Sequence, residues 1–400
     1  MMISFQEAFD LVLANTADFG SVTVPLDKAH GRVLAETIYA DRDFPPFDRA
    51  TKDGIALNYQ AIENGKSRFK IMGIAAAGSP QMTLDDSDAC IEVMTGAMLP
   101  INCDTVVMYE HIGIKDGVAT LEKPVKSGQN IHGKGSDEPI GSEILKAGTS
   151  ITAAEIGVLA SVGKAFVKVK KNPTICIVST GDELVDVGEV PKPHQIRKSN
   201  SHTLRAALLN QGLIATAMHI ADDKESTIKG ISSALKEYDA ILLSGGVSKG
   251  KYDYLPEVFE TLGIEKVFHK VKQRPGKPFW FGRHQATKTT VFAFPGNPGS
   301  TFANYQYYFL PWLQKSLGTS SKEITVTLGE SFDNSTDLTR FIRAKLKIEE
   351  GRLMANLVYG NGSGDLTSLT KANGFVRLQP QKKYTKGENV PFRATRRILV

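Results

Sequence analysis

Four short stretches of this chain gather the residue types that hold phosphates and cations. They are Ser179-Thr180-Gly181-Asp182-Glu183-Leu184, the pair Asp222-Asp223, the run from Ser244 to Asp253, and Pro295-Gly296-Asn297-Pro298-Gly299-Ser300. The run Ser244-Gly245-Gly246-Val247-Ser248-Lys249-Gly250 is the best phosphate cradle, because its glycines permit positive φ and let backbone N–H groups approach an anion, with a helix start close behind. It nearly spells a Walker A loop, Gly245-x-x-x-x-Gly250-Lys251, but Tyr252 stands where a Ser or Thr should hold magnesium. The plain alternative is a glycine turn that only reverses the chain. Asp182, Glu183, Asp222, Asp223 and Asp253 offer oxygens to a cation such as Mg²⁺. Each also has the ordinary role of a helix cap, since Asp is favoured there and three of them precede helices.

Two further stretches carry charge beside turns. In His269-Lys270-Val271-Lys272-Gln273-Arg274-Pro275-Gly276-Lys277, charged and apolar residues alternate, as on a solvated edge strand. The Pro-Gly turn and the apolar Phe279-Trp280-Phe281 that follow would anchor it beside a cleft, where Lys270 and Arg274 would meet an oxyanion. Pro45 to Ala56 contains Asp53 beside a glycine turn, a weak signal by itself.

The elements that must position these residues follow from periodicity. Ser4 to Asn15 is an amphipathic helix with Phe5, Ala8, Phe9, Val12 and Leu13 on one face. Residues 47–137 show short strands between Gly, Pro, Asn and Asp, as in a small β-rich domain. The segment 139–171 is expected to pack back on the N-terminal helix, which makes 47–137 an insertion between 1–46 and 138–172. From 173 to 318 strands (174–179, 214–220, 240–243, 279–281, 291–294) alternate with helices (201–211, 224–238, 254–262, 300–317). That pattern predicts a mostly parallel sheet covered on both faces, whose ligands bind at the carboxyl ends of the strands, where the four turns lie. From 319 to 400 the strands 324–328, 341–348, 353–357 and 375–378 predict a small barrel or sandwich.

Composition narrows the class. A net charge of +5 on 400 residues, with 41% hydrophobic and 23% charged residues, is ordinary globular usage and excludes a strongly basic nucleic-acid arm. Cys90, Cys103 and Cys176 form no CxxC pair, so neither a zinc ribbon nor a disulfide framework is expected, and a reduced cytoplasmic setting fits. Met1 to Asp10 lacks the charge and apolar run of a signal peptide, and no stretch of about 18 apolar residues predicts a membrane span.

Taken together, PPFDRATKDGIA (45–56), VMTGAMLP (93–100), STGDEL (179–184), LLSGGVSKGKYDY (242–254), RPGKPF (274–279), FPGNP (294–298) and GSGDLTSLTKANG (362–374) resemble the molybdopterin molybdenumtransferase family, which includes the bacterial MoeA proteins and the gephyrin E domain. The blocks span essentially the whole chain. STGDEL and SGGVSKG alone also resemble the single-domain adenylyltransferases of molybdopterin; the DGIA, TGA and GSG blocks select the multidomain transferase. The resemblance implies a Rossmann-like (MogA-like) three-layer α/β/α domain with a β-rich inserted domain and a C-terminal β-barrel. It also implies a homodimer whose cleft is built partly by the mate, and a supply of substrate by a molybdopterin adenylyltransferase. The reaction implied is insertion of molybdate into adenylylated molybdopterin with loss of AMP, helped by a divalent cation such as Mg²⁺.

Carried over block by block, the resemblance makes Asp53, Thr95, Asp137 and Glu183 catalytic. Glu183, Asp222 and Asp253 become cation ligands, Lys270 and Arg274 molybdate-holding cations, and Ser363 the serine of the GSG block. The turns contribute Ser179, Thr180, Gly181, Asp182, Ser244, Gly245, Gly246, Val247, Ser248, Pro295, Asn297 and Pro298 to substrate. The chain departs from the family at Lys52, usually Met, whose cation would depress the Asp53 pKa at close approach. It departs again at Ser136, usually Glu, and at Arg274, usually Lys. The usual Gly-Arg before Phe-x-Arg is missing, with Arg340 a shifted substitute. Two competing expectations are an adenylyltransferase and a non-catalytic pterin binder or scaffold, against which stand the extra domains and the retained carboxylates.

Overall fold

A computed structural model describes residues 2–247, 254–320 and 323–396 of the chain. The chain divides into two compact units, Met1–Val24 with Ala29–Ala35 and Lys168–Val400, and Pro25–Lys28 with Glu36–Val167. The Ser248 and Asp253 assignments lie outside the described residues, as do Lys249 to Tyr252.

In the first unit, α1 (Phe5–Ala14) begins at Ser4, whose hydroxyl accepts the Glu7 N–H. Its buried face, Phe5, Ala8 and Val12, packs in an aromatic core with Tyr307, Tyr308, Trp312 and Phe341. Those rings offer a large apolar area, and burying one Phe contributes about 1.5–3 kcal/mol.

The α/β layer contains β1 (Ile175–Thr180), α2 (Ser199–Leu209), β2 (Ala215–Ile220), α3 (Lys224–Glu237), β3 (Ala240–Ser244), α4 (Leu255–Thr261) and β4 (Ile264–His269). After the short strand β5 (Gln273–Arg274) come β6 (Trp280–His284), β7 (Thr289–Phe294) and α5 (Pro298–Asn304), which runs through a π-helical turn, Tyr305–Phe309, into α6 (Leu310–Ser316). The sheet order is β2-β1-β3-β7-β6-β4. Strands β2, β1, β3 and β7 are mutually parallel, with Ser179 opposite Ser244 and Ser244 opposite Phe294. All four therefore end at one rim. The β1 and β7 strands are buried along their full length, the mark of a sheet covered on both faces. Strand β4 falls in a stretch where sequence patterning suggested no strand, because the consecutive exposed Glu265 and Lys266 break the period-two alternation.

Strands β8 (Ile324–Leu328), β9 (Thr339–Glu349), β10 (Arg352–Leu357), β11 (Gly374–Leu378) and β12 (Asn389–Ala394) pair in the order β9-β10-β8-β12-β11, and β11 returns to β9, closing a five-stranded barrel. Strand β5 adds to the outer side of β9 in parallel. The second unit is built on a six-stranded sheet ordered Thr105–Met108, Gly54–Leu57, Ala89–Val93, Arg68–Ala75, Val118–Leu121 and Ile112–Lys115. No helix among the described residues is long and apolar enough to cross a membrane.

Candidate active site

The rim of the α/β sheet opens into a cavity of about 540 Å³ lined by Ser179, Thr180, Glu183, Ser244, Gly245, Pro295, Asn297 and Pro298, together with the Arg197–Ser201 segment. Three of the four turns identified from sequence thus meet at one place. Gly181 and Gly245 have φ of +127° and +109°. A side chain on Gly181 would collide with the Glu183 carboxylate, and one on Gly245 would press on Thr180 at 3.1 Å, so both positions need glycine. Gly246 also has positive φ, and Val247 turns its side chain into the core while its carbonyl accepts from His269 Nε2 at 3.2 Å. Asp182 accepts the Asp222 N–H at 3.1 Å, tying the turns after β1 and β2 together. The capping role falls to Asp223, which accepts from Ser226 N–H at 2.8 Å; Asp222 stands outside the cap and is exposed. Ser179 is buried and bonds His219 Nδ1 at 3.1 Å, which makes it a brace rather than an open hydroxyl.

A second cavity of about 400 Å³ lies between the α/β layer and the barrel. Pro278, Pro295 and Asn297 belong to both walls. Arg274, Lys277, Arg340 and Arg343 line it, and among its lining residues there is no Asp or Glu. Ser363 is held against the start of α5, its hydroxyl accepting from Asn297 Nδ2 at 2.9 Å and its carbonyl from Gly299 N–H at 2.9 Å. Arg343 donates to Gly362 O at 3.0 Å and leaves its buried Nε without a partner. Lys270 lines neither cavity. It sits in a left-handed turn (φ +75°) closed by its N–H on Phe279 O, which sends Arg274, not Lys270, to the wall.

In the second unit, Asp53 Oδ1 accepts from both Thr95 N–H (2.6 Å) and Thr95 Oγ1–H (2.7 Å). These two donors, the hydroxyl foremost, hold the Asp53 carboxyl below its ordinary pKa. Lys52 is not among the causes, so the depression expected from it belongs to Thr95 instead. Asp137 accepts from His132 Nε2 at 2.9 Å, and His132 Nδ1 faces Arg49 Nη2 at 3.1 Å. Because the arginine only donates, Nδ1 accepts and the imidazole proton sits on Nε2, aimed at Asp137. His132 and Arg49 are cross-strand partners. Thr95→Ala is expected to raise the Asp53 pKa toward the usual carboxylate value, moving any acid limb that reports Asp53 ionisation to higher pH; carboxyl-carbon NMR titration of both proteins checks it.

Residues 3–163 match the family described as "MoeA N-terminal region (domain I and II)", 176–315 the "Probable molybdopterin binding domain", and 325–394 the "MoeA C-terminal region (domain IV)". The molybdopterin molybdenumtransferase of Synechocystis sp. is 40% identical over 398 residues, covering 98% of this chain and 100% of that protein. This chain belongs to the molybdopterin molybdenumtransferase (MoeA) family. A Staphylococcus aureus molybdopterin molybdenumtransferase is 32% identical, covering 94% of this chain and 91% of its own length. The crystal structure of a MoeA molybdopterin biosynthesis protein from Pyrococcus horikoshii superposes with a TM-score of 0.84 at 30% identity, covering 99% of this chain and 100% of that one. As a MoeA-family transferase the chain acts in molybdenum cofactor biosynthesis.

Several residues of these sites had no local signal in the sequence. Asn200 bonds Ser244 Oγ and Gly296 O, both at 2.7 Å, stitching β3 to the β7 turn; the Ser-Asn-Ser at the start of α2 was the only clue. Arg343 and the Arg49–His132 pair depend on strand pairings that join distant segments. The three cysteines are buried free thiols, and burial pushes each up to about 12, which disfavours the thiolate.

Proposed function

We propose that this chain inserts molybdate into adenylylated molybdopterin, breaking the link between AMP and the pterin phosphate and leaving molybdenum on the dithiolene. The observation that supports it best is the pair of adjoining cavities. One is lined by glycine turns, hydroxyls and the Glu183 carboxylate, suited to a phosphorylated pterin; its neighbour is lined by cations without a carboxylate, suited to an oxyanion.

Gly245, Gly246, Thr180 and Ser244 would contact the phosphates, with Pro295, Asn297, Pro298 and Ser363 at the passage between cavities. Arg274, with Lys270 nearby in sequence, would neutralise molybdate. Asp53, kept ionised by Thr95, and Asp137, oriented by His132, would polarise water or steer molybdate. Among the described residues no three acidic, His or Cys side chains converge to hold a metal by themselves. The rim carboxylates Glu183, Asp182 and Asp222 fit an ion such as Mg²⁺ that takes one or two carboxylates and completes its shell with water and substrate phosphate. When bound there it would neutralise charge on the departing AMP phosphate. The acting species is proposed to be a cytoplasmic homodimer supplied by a molybdopterin adenylyltransferase, with no nucleic-acid or membrane partner.

The test is AMP release from adenylylated molybdopterin with and without molybdate. Release that rises at least tenfold with molybdate is expected. AMP transfer from ATP to molybdopterin with release of pyrophosphate, or binding without any release, would overturn the proposal.

A further inference from the structure

The parallel pairing of β5 with β9 sets Arg274 directly opposite Arg340. Like charges placed opposite one another on adjacent strands destabilise a sheet, and no carboxylate among the described residues offsets the effect of Arg274 on Arg340. The cavity both residues line has no carboxylate on its wall, and Lys277 and Arg343 add two more cations. Asp337, three residues before Arg340, pairs with Lys272 at 3.4 Å instead. Arg340 is half-buried, its guanidinium lying 5.8 Å from the Phe332 ring centre, so it is packed in place rather than free to swing into solvent. Burial, and then Arg274, pull the Arg340 pKa down, as expected of a cation short of anions.

We propose that Arg340 is a ligand for a tetrahedral oxyanion dianion, gripping it alongside Arg274, and that this side-by-side pair makes the cavity select a dianion over a monoanion of the same shape. Two planar guanidinium forks can each offer paired N–H donors to one tetrahedral anion. The anion in turn removes the repulsion that the empty pair carries. This deepens the proposed function, since molybdate is such a dianion, but it stands on the register and the acid-free wall alone.

The test is calorimetric titration of the full-length protein with molybdate, using perrhenate as the monovalent tetrahedral control, for wild type, R274Q, R340Q and R340K. R340Q is expected to weaken molybdate binding by about tenfold to a hundredfold and to bring the molybdate and perrhenate affinities together. R340K, which keeps the charge without the fork, should fall between. Molybdate should raise the melting temperature of wild type but not of R340Q, whose ligand-free melting temperature should be equal to or above that of wild type. R340Q binding molybdate as wild type does, while R274Q does not, would overturn the proposal. So would an undiminished preference for molybdate over perrhenate in R340Q. A wild type that binds molybdate through both arginines yet releases no AMP would sink the proposed function and leave this pair standing.

Discussion

Asp53→Asn is expected to retain ligand binding and to lose about 10²–10⁴ of turnover, the usual contribution of a positioned acid or base. The substitution isolates charge from shape. Both hydrogen bonds from Thr95 land on one oxygen of Asp53, and an amide oxygen can still accept both, though without the charge assistance. The backbone carbonyl of Asp53, which accepts from Tyr109 N–H at 3.1 Å, is untouched. A variant with wild-type melting temperature and molybdate affinity but little AMP release would identify the carboxylate as chemical. Unchanged molybdenum insertion would remove Asp53 from the mechanism.

Gln273→Leu should produce the largest loss of stability, about 2–5 kcal/mol, and weaken oxyanion binding with it. Gln273 is fully buried; its Nε2 donates to Asn304 Oδ1 at 2.7 Å and to Gly276 O at 3.2 Å, and its Oε1 accepts from Tyr308 OH. Leucine fills similar space but strands the Tyr308 hydroxyl and half of the Asn304 amide, each orphaned buried group costing about 1–3 kcal/mol. The same side chain fixes the backbone of the 274–277 turn that carries Arg274 and Lys277. Chemical denaturation with calorimetric molybdate titration measures both effects. Stability near wild type would mean that the trio can repair itself, and a destabilised protein with intact molybdate affinity would mean that the turn is held by other contacts.

Much of this architecture was legible along the chain. Apolar runs and the alternation of strand with helix patterns placed β1 and α3 within a residue of their positions and β7 within two, because each element carries its own period. The turns after β1, β3 and β7 could be grouped before any coordinates, since parallel strands must end on one rim. What stayed hidden depends on register between remote segments. Nothing local says that Arg274 meets Arg340, that Arg49 meets His132, or that Ser363 meets Asn297. The N-terminal helix showed its apolar stripe but not its destination, because Phe5, Ala8 and Val12 specify a partner surface only by area. The role foreseen for Lys52 went to Thr95, which reaches Asp53 through a turn 42 residues later.

The wall common to both cavities is made largely of imino acids, Pro278 and Pro295, with Pro298 beside them. A proline side chain has essentially no rotamer freedom to surrender, whereas a long flexible side chain immobilised by a ligand costs about 0.5–1.5 kcal/mol. An arriving molecule therefore finds that sill already set, and its affinity there is not diluted by ordering the protein. The entropic toll of capture falls instead on the exposed Arg274, where charge has the strength to meet it.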